Sequence, residues 1–282
     1  MKKSYLKIRL LMPQEDQDIA ADELLAFGFE GFEQHDDAMD AWISAEKFPE
    51  REKVRLSQWL EEYSGGSWRI MDEEVQQERN WNREWEKTIK PQVIGRFFIH
   101  PTWSDHTPPP GTIPITIDPK MSFGTGYHET TRLLLRLLPG YVKVDDYALD
   151  MGTGTGILAV AALRLGAGRA IGIDIDPWSY DNALENAKRN KVDDRLEIRI
   201  GSSEMIPTGT KFNLVLANIN RNILLDLADV LAGSLAPGGI LMLSGILTED
   251  IGSIADYPVY QKLKLLETCS ENEWQALVYQ KL

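Results

Sequence analysis

The segment Asp150-Met151-Gly152-Thr153-Gly154-Thr155-Gly156 constrains this chain more than any other, because it separates two apolar runs of different character. Residues 147–149 read as the end of a buried strand and residues 157–165 as a helix. Three glycines therefore occupy a strand-to-helix turn, where backbone can approach a ligand closely. An acidic residue, Asp174, ends the next apolar run, 22 positions after Gly152, where a carboxylate can accept hydrogen bonds from ribose hydroxyls. Glycines and acid together specify a nucleotide-type site in an alternating α/β fold.

Details of the loop narrow the ligand. A dinucleotide fingerprint wants a third glycine at position 157, close to a pyrophosphate on the helix N-terminus, and Ile157 stands there instead. No Lys-Ser or Lys-Thr pair follows the glycines, which excludes a P-loop. What remains is a ligand with a ribose and no phosphates. S-adenosylmethionine fits: Asp174 takes its ribose, the turn of Gly152, Gly154 and Gly156 passes its methionine part, and Asp150 helps orient the ammonium group. The bland alternative is a tight turn that binds nothing.

At 282 residues the chain has room for one large or two ordinary domains. Its 43% hydrophobic and 26% charged residues are those of a soluble globular protein. No apolar stretch approaches the roughly 20 residues of a membrane span. The N-terminus lacks the apolar core and cleavage site of a signal peptide, so a cytoplasmic protein without membrane contact is expected. A single cysteine, Cys269, forms no internal disulfide and reads as packing in a late strand; with four scattered histidines it makes no metal cluster. The net charge of -13 argues against a direct nucleic-acid footprint and favours a basic protein partner. Residues 1–72 concentrate that charge, with 9 Lys and Arg against 16 Asp and Glu, although acidity for solubility alone explains the imbalance equally well.

Residues 1–72 follow a β-α-β-β-α-β order, that of a small ferredoxin-like α+β domain. Residues 73–90 are highly charged, with Trp81 and Trp85 four apart, and read as a connecting helix stopped by Pro91. Residues 91–282 then alternate strand and helix. Asp176 and Pro177 start one helix, and another is expected over 223–235. Pro237-Gly238-Gly239 turns into a strand at 240–243, and two terminal strands close the chain. Such alternation implies a doubly wound parallel sheet, with one antiparallel strand near its edge.

Residues 118–131, DPKMSFGTGYHETT, precede a leucine-rich helix and look like a lid over a bound cofactor; a glycine hinge with capping threonines is the structural alternative. Thr131, in the first helical turn, can bond a carboxylate beside the helix N-terminus. His128 could position or deprotonate an amine, or be a structural hydrogen-bonding group. Asn218 ends the strand LVLAN and can bind adenine or the target nitrogen. Asn220 or Asn222 could cap the next helix. Residues 244–247 could line the pocket, while Trp274 reads as core rather than ligand stacking.

DPKMSFGTGYHETT, LDMGTGTGILAVAALRLGA, GIDIDP, LANI and LSGIL, in this order and spacing, resemble the PrmA family of bacterial ribosomal protein methyltransferases, which modify protein eleven of the large subunit. The match is close through most of the second domain and looser in the acidic N-terminal unit, which corresponds to that family's substrate-recognition domain. The resemblance implies a class I methyltransferase fold, Rossmann-like with a mostly parallel seven-stranded sheet. It also implies S-adenosyl-L-methionine as cofactor and methylation of the α-amino group and lysine side chains. Carried over position by position, the family's cofactor contacts fall on Thr131, Gly152, Asp174 and Asn218. Two departures stand out: GTGTG replaces the commoner GCGSG, and Asn220-Arg221-Asn222 replaces small apolar residues.

Methyl transfer to an amine needs a neutral nucleophile aligned with the methyl group and shielded from water. The residues expected to hold it are the loop of Phe123, Gly124, Thr125 and His128, together with Asn218 and Asn220. Other amine acceptors, a nicotinamide-dependent oxidoreductase and an inactive binding module are the competing readings.

Overall fold

The computed structural model describes residues 4–77, 89–120 and 122–282. The chain divides into two compact units, residues 1–81 and 82–282.

In the first unit, alternation along β1 (Ser4–Leu11) sends Leu6, Ile8 and Leu10 into a core and Lys7 and Arg9 to the opposite face. α1 (Gln17–Ala26), β2 (Gly31–Gln34), β3 (Ala38–Ser44), α2 (Glu50–Ser64) and β4 (Arg69–Gln77) follow. Gly65, in the left-handed conformation, ends α2. The strands form an antiparallel sheet in the order β2-β3-β1-β4, and the helices contribute Ala20, Leu24, Leu56 and Leu60 to its one core. On the other face Asp40 lies opposite Arg9, receives two hydrogen bonds from it at 2.6 and 2.7 Å, and pairs with Lys7 at 2.6 Å. Burial alone would raise its carboxyl, but hydrogen bonds from Arg9, Lys7 and His35 outweigh that and hold it well below the usual range. Glu33, His35 and Asp40 come close enough to share a cation, yet Asp40 is already occupied by the two basic side chains.

The expected connecting helix over 73–90 meets a correction at its start. Residues 73–77 extend β4, pairing against β1 until Gln77 faces Ser4, so backbone hydrogen bonding overrides the helix-like charge pattern. Residues 78–88, including Trp81 and Trp85, lie outside the described residues.

The second unit begins with a small sheet the sequence reading did not anticipate, β5 (Gln92–Ile94), β6 (Phe97–His100) and β7 (Ile113–Thr116). The elements α3 (Glu129–Tyr141), β8 (Tyr147–Met151), α4 (Ile157–Leu165), β9 (Arg169–Asp174), α5 (Pro177–Arg189) and β10 (Leu196–Ile200) come next. β11 (Phe212–Asn218), α6 (Arg221–Asp226), α7 (Ala228–Ser234), β12 (Leu235–Leu247), α8 (Ile251–Ala255), β13 (Lys264–Glu271) and β14 (Trp274–Gln280) complete the unit. The single helix expected over 223–235 is thus two, parted at Leu227. β12 starts ahead of the expected turn, because Leu235 already pairs with Phe212 and residues 238 and 239 exchange backbone bonds with Lys281.

Seven strands form one sheet in the order β10-β9-β8-β11-β12-β14-β13, parallel except for β14, the antiparallel strand expected beside the edge. Successive residues serve opposite faces: Leu214 and Leu216 pack with α3, α4 and α5, while Val215 and Ala217 pack with α6, α7 and α8. Asn182 and Asn186 on α5 and Asn190, which caps it, stand four residues apart and use their side-chain amides to bond backbone of residues 116 and 118; Asn186 also reaches the Thr155 carbonyl. This ladder fixes the root of the loop at 119–128.

Candidate active site

A cavity of about 550 Å³ opens at the carboxyl ends of β8, β9 and β11, where the strand order reverses. Open α/β sheets bind ligands at that switch point, and the volume suits a nucleoside-sized molecule.

The glycine turn forms its floor. Amides of Gly152 and Thr153 donate to the Ile173 carbonyl at 2.8 and 3.1 Å, folding the turn onto the end of β9. A Cβ on Gly152 would stand 2.3 Å from Ile219 Cγ2, and one on Gly154 would stand 2.3 Å from the Phe123 carbonyl oxygen. Both residues also have positive φ, so only glycine fits. Gly156 lies outside the cavity lining: it caps α4 and lets α5 approach, a Cβ there meeting Ala183 Cβ at 3.3 Å.

Asp174 and Asn218 line the cavity from the ends of β9 and β11, the strands on either side of β8. Each Asp174 oxygen accepts one backbone amide, from Gly154 at 2.8 Å and Asp176 at 3.0 Å, leaving further lone pairs for ribose hydroxyls. Asn218 donates through Nδ2 to Thr131 Oγ1 at 3.1 Å, while its buried Oδ1 has no partner among the described residues. An unpaired buried acceptor costs about 1–3 kcal/mol, a cost that a ligand N–H removes. Thr131 is fully buried in the first turn of α3 and acts on the cavity through Asn218.

Asp150 sits beneath the floor rather than in the lining. Its Oδ2 accepts from Thr153 Oγ1 at 2.7 Å and from the Ala159 amide at 3.2 Å, and desolvation pushes its carboxyl up to about 6. It braces the turn against α4. The sequence reading had it orient an ammonium group, but it is not among the residues that line the cavity.

The loop at 119–128 makes one wall and is pinned to the turn by Thr155, whose amide donates to the Phe123 carbonyl at 2.9 Å and whose hydroxyl donates to the Gly124 carbonyl. Phe123 lines the cavity; Gly124 and Thr125 do not, since Gly124 faces Thr155 and Thr125 Oγ1 accepts from the Tyr127 amide. His128 caps α3: its Nδ1 accepts from the Thr130 amide and stands 2.9 Å from Thr130 Oγ1. An amide can only donate, so Nδ1 is the acceptor and the neutral ring carries its proton on Nε2. Asn220 also lines the cavity, with its Oδ1 spent on capping α6 through the Ile223 amide.

Trp274, read from sequence as core, is also a wall of the cavity. Its ring meets His128 edge to face at 4.9 Å, and His128 meets Phe123 at 5.3 Å. The residue has no sequence signal because the contact depends on β14 returning to α3. Ser122, Ile175, Ser202 and Gly245 also line the cavity, and of these only Ser202 falls outside the segments singled out from sequence. Among the described lining residues are Asp174 and Asp176 and no lysine or arginine, a setting that suits a cationic sulfonium and not a pyrophosphate.

The family model described as Ribosomal protein L11 methyltransferase (PrmA) matches residues 4–282. A ribosomal protein L11 methyltransferase from Porphyromonas gingivalis is 39% identical over 272 residues, covering 92% of this chain and 89% of that one. One of the same name from Syntrophotalea carbinolica is 34% identical over 310 residues, covering 99% of each chain. Among solved structures, a ribosomal protein L11 methylase from Lactobacillus delbrueckii subsp. bulgaricus superposes with a TM-score of 0.63 at 29% identity, covering 69% of this chain and 100% of that one. The sheet is that of a class I methyltransferase, the cavity lies where that fold implies S-adenosylmethionine, and from both sequence and structure the chain belongs to the ribosomal protein L11 methyltransferase (PrmA) family.

Proposed function

We propose that this enzyme uses S-adenosyl-L-methionine to N-methylate the α-amino group and lysine side chains of protein L11 of the large ribosomal subunit. Asn218 carries the reading. Thr131 takes its amide nitrogen, which leaves Oδ1 as a buried, unpaired acceptor at the end of β11, in a cavity walled by Phe123, His128 and Trp274. That acceptor can serve the cofactor or the target nitrogen. Asp174 would hold the ribose, and the turn of Gly152 and Gly154 would pass the methionine part.

The cofactor supplies a methyl group activated on a sulfonium. The chain has to align the amine with that methyl and keep water out. A lysine, near pKa 10.4 in water, must enter neutral, and the apolar ring wall favours the neutral form by desolvation. Carbonyl oxygens of the 123–128 loop and Asn218 Oδ1 would accept the amine N–H bonds and turn its lone pair toward the methyl. His128 shapes this wall as a positioning residue, its Nδ1 turned to Thr130 at the start of α3.

The acidic residues of 1–72 fit a recognition unit for a basic partner, L11 free or on the ribosome, without direct nucleic-acid or membrane contact. No helix among the described residues is long and apolar enough to cross a membrane; the cytoplasm is the proposed place of work. The test is incubation with methyl-labelled cofactor and purified L11, followed by peptide mass mapping. Label on the N-terminal and lysine amines is expected; label on ribosomal RNA alone, or none, refutes the assignment. Calorimetry with NAD and with S-adenosylmethionine excludes the oxidoreductase reading if only the latter binds.

A further inference from the structure

The hairpin of β13 and β14 brings Trp274 to the cavity, yet it has little apolar hold on the protein at its tip. β13 is an edge strand, and most of its residues are exposed. What fastens the tip is a set of polar contacts to one face of α3. Glu271 lies opposite Trp274 in the hairpin register. Its carboxylate takes Arg132 Nη2 at 2.6 Å and Nε at 2.8 Å on one oxygen, and Arg136 Nη1 at 2.7 Å on the other. The neighbouring Asn272 donates to Glu129 Oε1 at 3.0 Å. Residues 129, 132 and 136 share a helix face, so the three grip the tip together.

Arg132 does more than hold the hairpin. Its guanidinium also pairs with Glu129 at 3.1 Å and donates to the Tyr127 carbonyl, the residue just before His128. One side chain thus ties the loop carrying His128 to the hairpin carrying Trp274. Its side chain is 18% exposed and that of Glu271 21%, so solvent screens the pair less than a surface ion pair.

We infer that Arg132 and Glu271 are positioning residues: the ion pair holds the Trp274 ring edge to face on His128 and thereby sets the orientation of the incoming amine. The role rests on the methyltransferase reading above and adds two residues that touch neither cofactor nor amine. Cofactor binding, which uses the ends of β8, β9 and β11, should be indifferent to it.

A double-mutant cycle of Glu271→Ala and Trp274→Ala tests this, with kcat/KM for L11 and S-adenosylhomocysteine affinity as readouts. Glu271→Ala should lower kcat/KM roughly tenfold, the effect of losing a charge-assisted hydrogen bond. In the Trp274→Ala background it should cost less than about twofold, with S-adenosylhomocysteine affinity unchanged in both. Glu271→Gln keeps the shape and one of the two acceptor oxygens, should recover part of the loss, and carries the same cycle if the alanine variant does not fold. The His128 ring protons, which feel the Trp274 ring, give an NMR readout that needs no substrate. Glu271→Ala should move them most of the way to their Trp274→Ala positions. Equal losses in both backgrounds, a parallel loss of S-adenosylhomocysteine affinity, or unmoved His128 resonances would overturn the inference. Wild-type enzyme that leaves L11 unlabelled would instead overturn the substrate reading, and the resonances would still decide the clamp.

Discussion

Gly154→Ala puts the glycine turn to its sharpest test. The new Cβ would lie 2.3 Å from the Phe123 carbonyl oxygen and 3.2 Å from its carbon, at a residue with φ of +54°. An ordinary contact requires the carbonyl to retreat by roughly 1 Å. It is not free to do so, because the Thr155 amide holds it at 2.9 Å and the Thr155 hydroxyl holds the next carbonyl. A left-handed alanine costs about 1–2 kcal/mol. Loss of the Thr155 hydrogen bond adds about 1 kcal/mol. If the turn regains its shape only when ligand binds, the total of about 2–3 kcal/mol weakens S-adenosylhomocysteine binding close to a hundredfold. If the strain persists in the free protein, it lowers the Tm by roughly 5–10 °C. Calorimetric titration and a thermal melt together capture both routes. Gly140→Ala is the control: that exposed glycine lies inside α3 with nothing within 4 Å of its Cβ position, so the same chemical change should leave binding intact. Stability there should be unchanged or raised by up to about 1 kcal/mol. Wild-type affinity and Tm in Gly154→Ala would refute the reasoning.

Asp174→Ala removes the acceptor for the Gly154 and Asp176 amides as well as for the ribose, and should weaken S-adenosylhomocysteine binding at least tenfold by calorimetry, about the worth of one charge-assisted hydrogen bond. Asp150 is raised from 3.8 to about 6 by burial, so its contribution to stability is fully present below pH 3.8 and is lost as pH rises through about 6. Asp150→Asn should flatten that descent in melts taken across the same window; an unchanged slope would count against it. His128→Ala should lower kcat/KM for L11 by removing the cap of α3 and a wall of the cavity. It should leave the shape of the rate profile between about pH 6 and 9 unaltered, since Nδ1 is turned to Thr130 and the ring serves as a wall rather than a base. Loss of the alkaline or acid limb in that variant would restore the base assignment.

Local pattern carried much of the fold. The strand ends at Asp174 and Asn218 and the Asp176-Pro177 start of α5 are all set by neighbours within a turn or a strand, and such features are legible in a sequence. Features set by distant partners were not. Residues 73–77 carry a helix-like charge density but are strand because β1 is there to pair with them. The sheet of β5, β6 and β7 is short and split by a proline-rich stretch, so no period could be read across it. In the site, Gly152, Asp174 and Asn218 lie where the motif spacing put them. Asp150 alternates to the buried side of the turn, a direction that spacing alone does not give. Trp274 reached the cavity through a fold-back between residues 128 and 274 that leaves no local trace.

The asparagine ladder of α5 works as a ruler. Its rungs at 182, 186 and 190 match the helical repeat, and each is registered to backbone of a segment more than sixty positions upstream. An added or deleted residue between the rungs would swing part of the ladder by about 100° around the axis. The displaced rungs would release the wall that leads to Phe123. Length changes inside this helix should therefore abolish activity even where its composition is kept, whereas the turn at 191–194, beyond the last rung, should accept them.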